Sequence, residues 1–147
     1  MRYSKLFMAG LVLVGSFGLA TMSRVEAQDE AVPSEPSHVE TIEGSDLKRV
    51  TLSERAAERL GIATAPVVAD EGSGAGQTTI PYSAVIYDEH GGTWAYTTTE
   101  PLVFMRDAIG VERIDGDTAY LTDGPAAGTE VVTVGSAELV GTERYGH

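Results

Sequence analysis

The chain of 147 residues carries 22 acidic against 10 basic side chains, a net charge of −12, and no cysteine. That balance repels phosphate backbones and anionic lipid, which argues against nucleic acid and against a peripheral membrane surface as partners. Without cysteine there is no disulfide, no thiolate metal site and no lipid-modified cysteine, and the length suffices for one core but hardly for two.

The first 27 residues read as an export signal. Arg2 and Lys5 form a short positive end, residues 6–20 an apolar run softened by Gly10, Gly15 and Gly18, and Val25-Glu26-Ala27 a small-residue cleavage site. The run falls short of the about 20 residues that span a bilayer, so cleavage after Ala27 is expected. Extension to Met22 leaves an uncleaved N-terminal anchor as the alternative, and that anchor is the one expected route to a membrane. Loss of the signal removes three basic residues and one acid, which takes the net charge from −12 to −14.

Residues 28–47 are acidic, contain Pro33 and Pro36 and lack apolar periodicity, so a flexible tether is expected there. The domain is expected over residues 48–143. Residues 48–52 read as a short strand leading into a helix. Ser53 is its N-cap, Leu52, Ala56 and Leu60 line one face, and Gly61 is its left-handed stop. Two turns are too few to stand alone in water, so the helix must dock through Leu60 and Ile62.

Residues 62–68 are compatible with a strand, and residues 69–77 are a Gly/Ser-rich connector. Strand and turn then alternate closely. Residues 84–87 are expected to pair with 93–98 across Asp88-Glu89-His90-Gly91-Gly92. Residues 103–105 and 108–114 form an interrupted strand, and Asp115-Gly116-Asp117 a tight turn. Residues 118–122 and 130–134 are the last strands. The pattern predicts a mainly β fold: a small antiparallel β-barrel or sandwich with one short α-helix.

Reactive chemistry finds little footing. His38, His90 and His147 show no ligand spacing, and three of the four methionines lie in or beside the signal, leaving Met105. Asp88, Glu89 and His90 read as a solvated hairpin tip rather than a cation site, and Met105 as core filling. Ser83, His90 and Asp88 could be assembled into a hydrolytic triad, but nothing resembles a nucleophile elbow. Glu112, Asp115 and Asp117 fit turn chemistry better than a carboxylate pair. Trp94 and Tyr96, spaced i, i+2, share one strand face. With Phe104 and Arg106 they are the candidate partner-docking surface, set against a reading as core, with Arg106 paired to a carboxylate. No catalytic, cofactor-binding or metal-ligating residue is expected.

Several stretches carry a family resemblance. Val50-Thr51-Leu52-Ser53-Glu54-Arg55-Ala56-Ala57-Glu58-Arg59-Leu60-Gly61-Ile62 is similar to the segment opening the mature part of heavy-metal-type efflux adaptors. Ile80-Pro81-Tyr82-Ser83-Ala84-Val85 resembles the entry into their membrane-proximal domain. Gly92-Thr93-Trp94-Ala95-Tyr96, Met105-Arg106 and Ile109-Gly110-Val111 resemble the following strands. The segment 124–132 resembles a Gly-Leu-x-x-Gly-x-x-Val-Val turn and strand, with Pro125 in place of leucine. Gly135 with Glu138-Leu139 resembles the closing motif. In order and spacing these residues resemble the membrane-proximal domain of the periplasmic adaptor (membrane-fusion, HlyD-like) subunits of RND-type efflux systems. The family's lipoyl-like domain, helical hairpin and middle barrel have no counterpart here, so the chain alone is not expected to reach an outer-membrane channel. The connector at 71–77 stands where those parts would be inserted, which predicts that residues 62–68 pack beside the strands after Thr78.

The resemblance implies an exported, periplasmic or envelope-associated accessory component of an RND efflux system. It would act by protein–protein binding to a pump subunit or a full-length adaptor, with no enzymatic step and no cofactor. The alternative is an exported β-domain that binds a metal ion or small ligand. A third reading, a remnant that has lost its role, sits poorly with an intact signal, tether and domain spacing.

Overall fold

The computed structural model describes residues 36–72 and 76–146. Its strands are β1 (Ser37–Thr41), β2 (Lys48–Leu52), β3 (Ala63–Pro66), β4 (Val68–Ala69), β5 (Thr78–Pro81) and β6 (Ile86–Tyr87). They continue with β7 (Thr93–Glu100), β8 (Val103–Ala108), β9 (Gly110–Asp115), β10 (Thr118–Asp123) and β11 (Glu130–Val134). Helix α1 (Glu54–Leu60) follows β2, a 3-10 turn (Tyr82–Ala84) follows β5, and helix α2 (Ser136–Tyr145) follows β11. The larger sheet runs β1-β2-β8-β7-β11-β3, with β6 also on β7, and the smaller runs β4-β5-β10-β9. The fold is mainly β and antiparallel throughout, and neither sheet closes into a barrel.

Alternation along β7 and β11 explains how the layers join. Ala95 and Val131 point into one core with Val67, Ile80, Ala84, Ile109, Ala119 and Leu121, between the two sheets. Their neighbours Tyr96 and Val132 point the other way, into a second core with Val50, Leu52, Ala56, Phe104 and Leu139. The helices thus cover one face of the larger sheet and the smaller sheet covers the other. The β7–β11 pair is buried on both sides. Between β8 and β9 the chain leaves one sheet for the other at Ile109, whose N–H is held by the Thr93 carbonyl at 3.0 Å. The interruption expected at residues 106–107 thus lies two residues further on, because β8 runs unbroken to Ala108.

α1 forms as its sequence dictates. The Ser53 hydroxyl accepts from the Ala56 N–H, and Gly61 at φ 63 closes the helix, with Gly61 N–H on Glu58 and Ile62 N–H on Ala57. This is a Schellman ending, and it turns Ile62 back onto the second core. The turn from β9 to β10 has Gly116 at φ 56 and no positive φ at Asp117, which suits the right-handed twist of the flanking strands.

The halves on either side of the glycine connector belong to one body. β4 pairs with β5 through Val68↔Thr79 and Ala69↔Thr78, and the Asp70 N–H reaches the Gln77 carbonyl at 2.9 Å. β3 pairs with β11. Residues 62–68 therefore lie beside the strands that follow Thr78, as expected.

Two expectations need correction. Part of the expected tether at 28–47 is structure: Ser37–Thr41 is a strand paired along its whole length with β2. Only Val39 of that strand packs on the second core, while His38 and Glu40 face outward, so its polar composition resembles a linker. The other correction is the number of α-helices, which is two among the described residues. α2 was hidden because Gly141 and Thr142 dilute its helix propensity and one of its two buried positions is occupied by Glu143 rather than by an apolar residue. The signal at 1–27, the start of the tether and His147 lie outside the described residues.

Candidate functional site

β7 and β8 place Tyr96 directly opposite Arg106, and α2 lowers Glu143 between them. The Tyr96 hydroxyl donates to Glu143 Oε2 at 2.6 Å, and Arg106 Nη2 pairs with Glu143 Oε1 at 2.8 Å. From β2, Lys48 Nζ donates to the Glu143 carbonyl at 2.9 Å, adding a cation at the negative end of the helix. Glu143 is 5% exposed. A carboxylate so deep is tolerable only because both oxygens are engaged and a guanidinium faces it. Burial, then the Glu143 hydrogen bond and charge, push the Tyr96 phenol far above the ordinary tyrosine range, against the lowering effect of Arg106. The hydroxyl is therefore a fixed donor.

A second polar chain continues toward the surface. The Arg106 guanidinium lies 5.1 Å from the Trp94 ring centre, within cation–π range. Trp94 Nε1 donates to Asp88 Oδ2 at 2.7 Å, and Asp88 Oδ1 accepts from the His90 and Gly92 N–H groups at 2.8 Å each. The Trp94 bond foremost, then those of Gly92 and His90, hold the Asp88 carboxyl below the usual aspartate value. The hairpin tip is thus locked by its own aspartate.

The four candidate docking residues therefore divide. Tyr96 and Phe104 are buried, at 0% and 3% exposure, and belong to the second core, so with α2 in place they present no surface. Trp94 and Arg106 are half-buried at its rim. Arg106 finds its carboxylate far along the chain, on α2, and sequence spacing alone gives no hint of that pairing. The only local signal is the i, i+4 repeat Leu139–Glu143 on a short C-terminal stretch.

The candidate reactive groups stay apart. Asp88 is consumed by the turn and by Trp94, and Ser83 lies exposed on the 3-10 turn. His38 contacts Glu40 at 3.3 Å on the exposed side of β1. Asp115 flanks and Asp117 occupies a hairpin turn, while Glu112 accepts from Gln77 Nε2 at 3.0 Å. Met105 is half-buried on β8. Among the described residues no three His, Asp or Glu side chains converge on a common point, and no helix is long and apolar enough to cross a membrane.

Two exposed aromatic side chains lie together elsewhere. Tyr82 and Tyr87 are hydrogen-bonded neighbours, and partial burial together with Tyr82 raises the Tyr87 pKa. They are 42% and 54% exposed. Tyr87 borders an open groove of about 490 Å³ shared with Ser83, Val85, Thr133, Ser136 and Glu138. No family model, curated protein or solved structure matches this chain.

Proposed function

We propose that this chain is an exported accessory component of an RND-type efflux system. In this reading it works by protein–protein contact with a pump subunit or a full-length adaptor and carries out no chemical step. The observation that carries the reading is the β4–β5 hairpin, which joins the two sequence stretches that resemble the adaptor's membrane-proximal domain across a short connector. A domain built from both ends of a longer ancestral chain needs such a junction. Contact also fits better than catalysis: the grooves are open, and Asp88, Glu112 and Glu143 are engaged by a turn, by Gln77 and by a helix anchor.

The docking surface in this reading is the exposed pair Tyr82 and Tyr87 with the adjoining groove, in place of Tyr96 and Phe104. Aromatic residues at a rim supply large contact area at low entropic cost. Co-purification of the tagged chain from its native envelope tests the reading. Recovery of an RND pump or adaptor subunit, lost on Tyr82→Ser with Tyr87→Ser, is the expected result. A chain recovered alone would refute it.

A further inference from the structure

α2 covers the face of the larger sheet that carries Val50, Tyr96, Phe104 and Val132, yet it contributes only one fully buried apolar side chain, Leu139, and one partly buried, Val140. Its N-cap is Gly135 at φ 91, with no side-chain hydrogen bond to the first turn. A helix with so little apolar contact opens at lower cost than the body it rests on. Beneath it lies a floor of defined chemistry, apolar along its length, with a phenol, a guanidinium and an ammonium (Tyr96, Arg106, Lys48) at one end.

Glu143 meets that end incompletely. Its two oxygens are divided between Tyr96 and Arg106, while Arg106 Nε is buried with no hydrogen-bond partner. A buried donor left unpaired is a penalty that α2 carries in its own seat. A carboxylate that took Nε and Nη2 together, side by side, would remove it. A basic helix is excluded, because Arg106 and Lys48 would face another cation.

We propose that the sheet face under α2 is a receptor for an amphipathic helix of a partner protein, bearing an apolar residue and a carboxylate one turn later, with α2 filling the seat until that helix displaces it. The inference rests on the protein-binding reading above and names the chemistry of the partner.

The test uses the full chain and, as probe, a fluorescein-labelled peptide with the sequence of residues 136–147. Hydrogen exchange should be at least about tenfold faster for α2 amides than for β7 amides. The peptide should bind a Glu143→Ala chain, whose own helix is loosened, about tenfold more tightly than the wild-type chain. The Glu143→Gln chain, which keeps the side-chain shape, is a second receptor and should also bind more tightly than wild type. A peptide carrying Glu143→Gln should bind about tenfold more weakly than its parent. Exchange of α2 and β7 amides at one common rate, or binding indifferent to the peptide carboxylate, overturns the proposal. Self-association of the full chain that the peptide dissolves would overturn the partner assignment in favour of a second copy. Failure of peptide binding while the native envelope still yields the pump subunit sinks this inference alone, and loss of both results sinks the docking reading as well.

Discussion

The two helices pack on the same face of the larger sheet and are held there by different forces. α1 has a serine cap, a left-handed glycine stop and apolar anchors at Ala56, Ala57 and Leu60. α2 has no side-chain cap, a deeply buried Leu139 with Val140 partly buried beside it, and a buried carboxylate gripped by Tyr96 and Arg106. The first is an autonomous local design secured by burial. The second depends on side chains supplied by strands far away in sequence, so its position is specified by electrostatics and hydrogen bonding.

That contrast can be broken from either side. The largest effect is expected at Glu143→Ala, which strands Arg106 and the Tyr96 hydroxyl and should cost about 3–5 kcal/mol, read from the urea midpoint. Leu139→Ala should cost about 2–4 kcal/mol by removing the apolar part of the same anchor. On α1, Ser53→Ala should cost only about 1 kcal/mol, because the apolar anchors remain. If Ser53→Ala proved more damaging than Glu143→Ala, the assignment of forces to the two helices would be reversed.

The smallest effect concerns acid. The Asp88 carboxyl has its folded pKa lowered by Trp94, Gly92 and His90. Its contribution is therefore present above the unfolded carboxylate value of about 3.9 and is lost as pH falls through the lower folded value. Wild type should thus lose stability over that acid window more steeply than Asp88→Asn, as urea midpoints across the window would reveal. Trp94 is the chain's one tryptophan, and its emission should change in the same range.

Sequence reading succeeded where the determinants are local. Ser53 and Gly61 marked both ends of α1, glycines and aspartates marked the hairpins, and residues 93–98 and 130–134 were read as the strands they form. It failed where a residue's role is decided by distant partners. β1 looks like a linker because only Val39 of its five residues faces a core. α2 looks like a tail because Glu143 takes a core position that only Arg106 and Tyr96 make habitable. The same blindness left Tyr96 and Phe104 open between core and docking surface, and the structure places both in the core. The spacing of Trp94 and Tyr96 identified a shared face, but the helix covering that face could not be foreseen.

The central claim is that this chain works by docking, and in-cell photo-crosslinking tests it most directly. With a photoreactive phenylalanine analogue at Tyr87, the account expects an adduct with an RND pump or adaptor subunit. Adducts absent from Tyr87 and from every other exposed position probed, in cells that produce the pump, would contradict it.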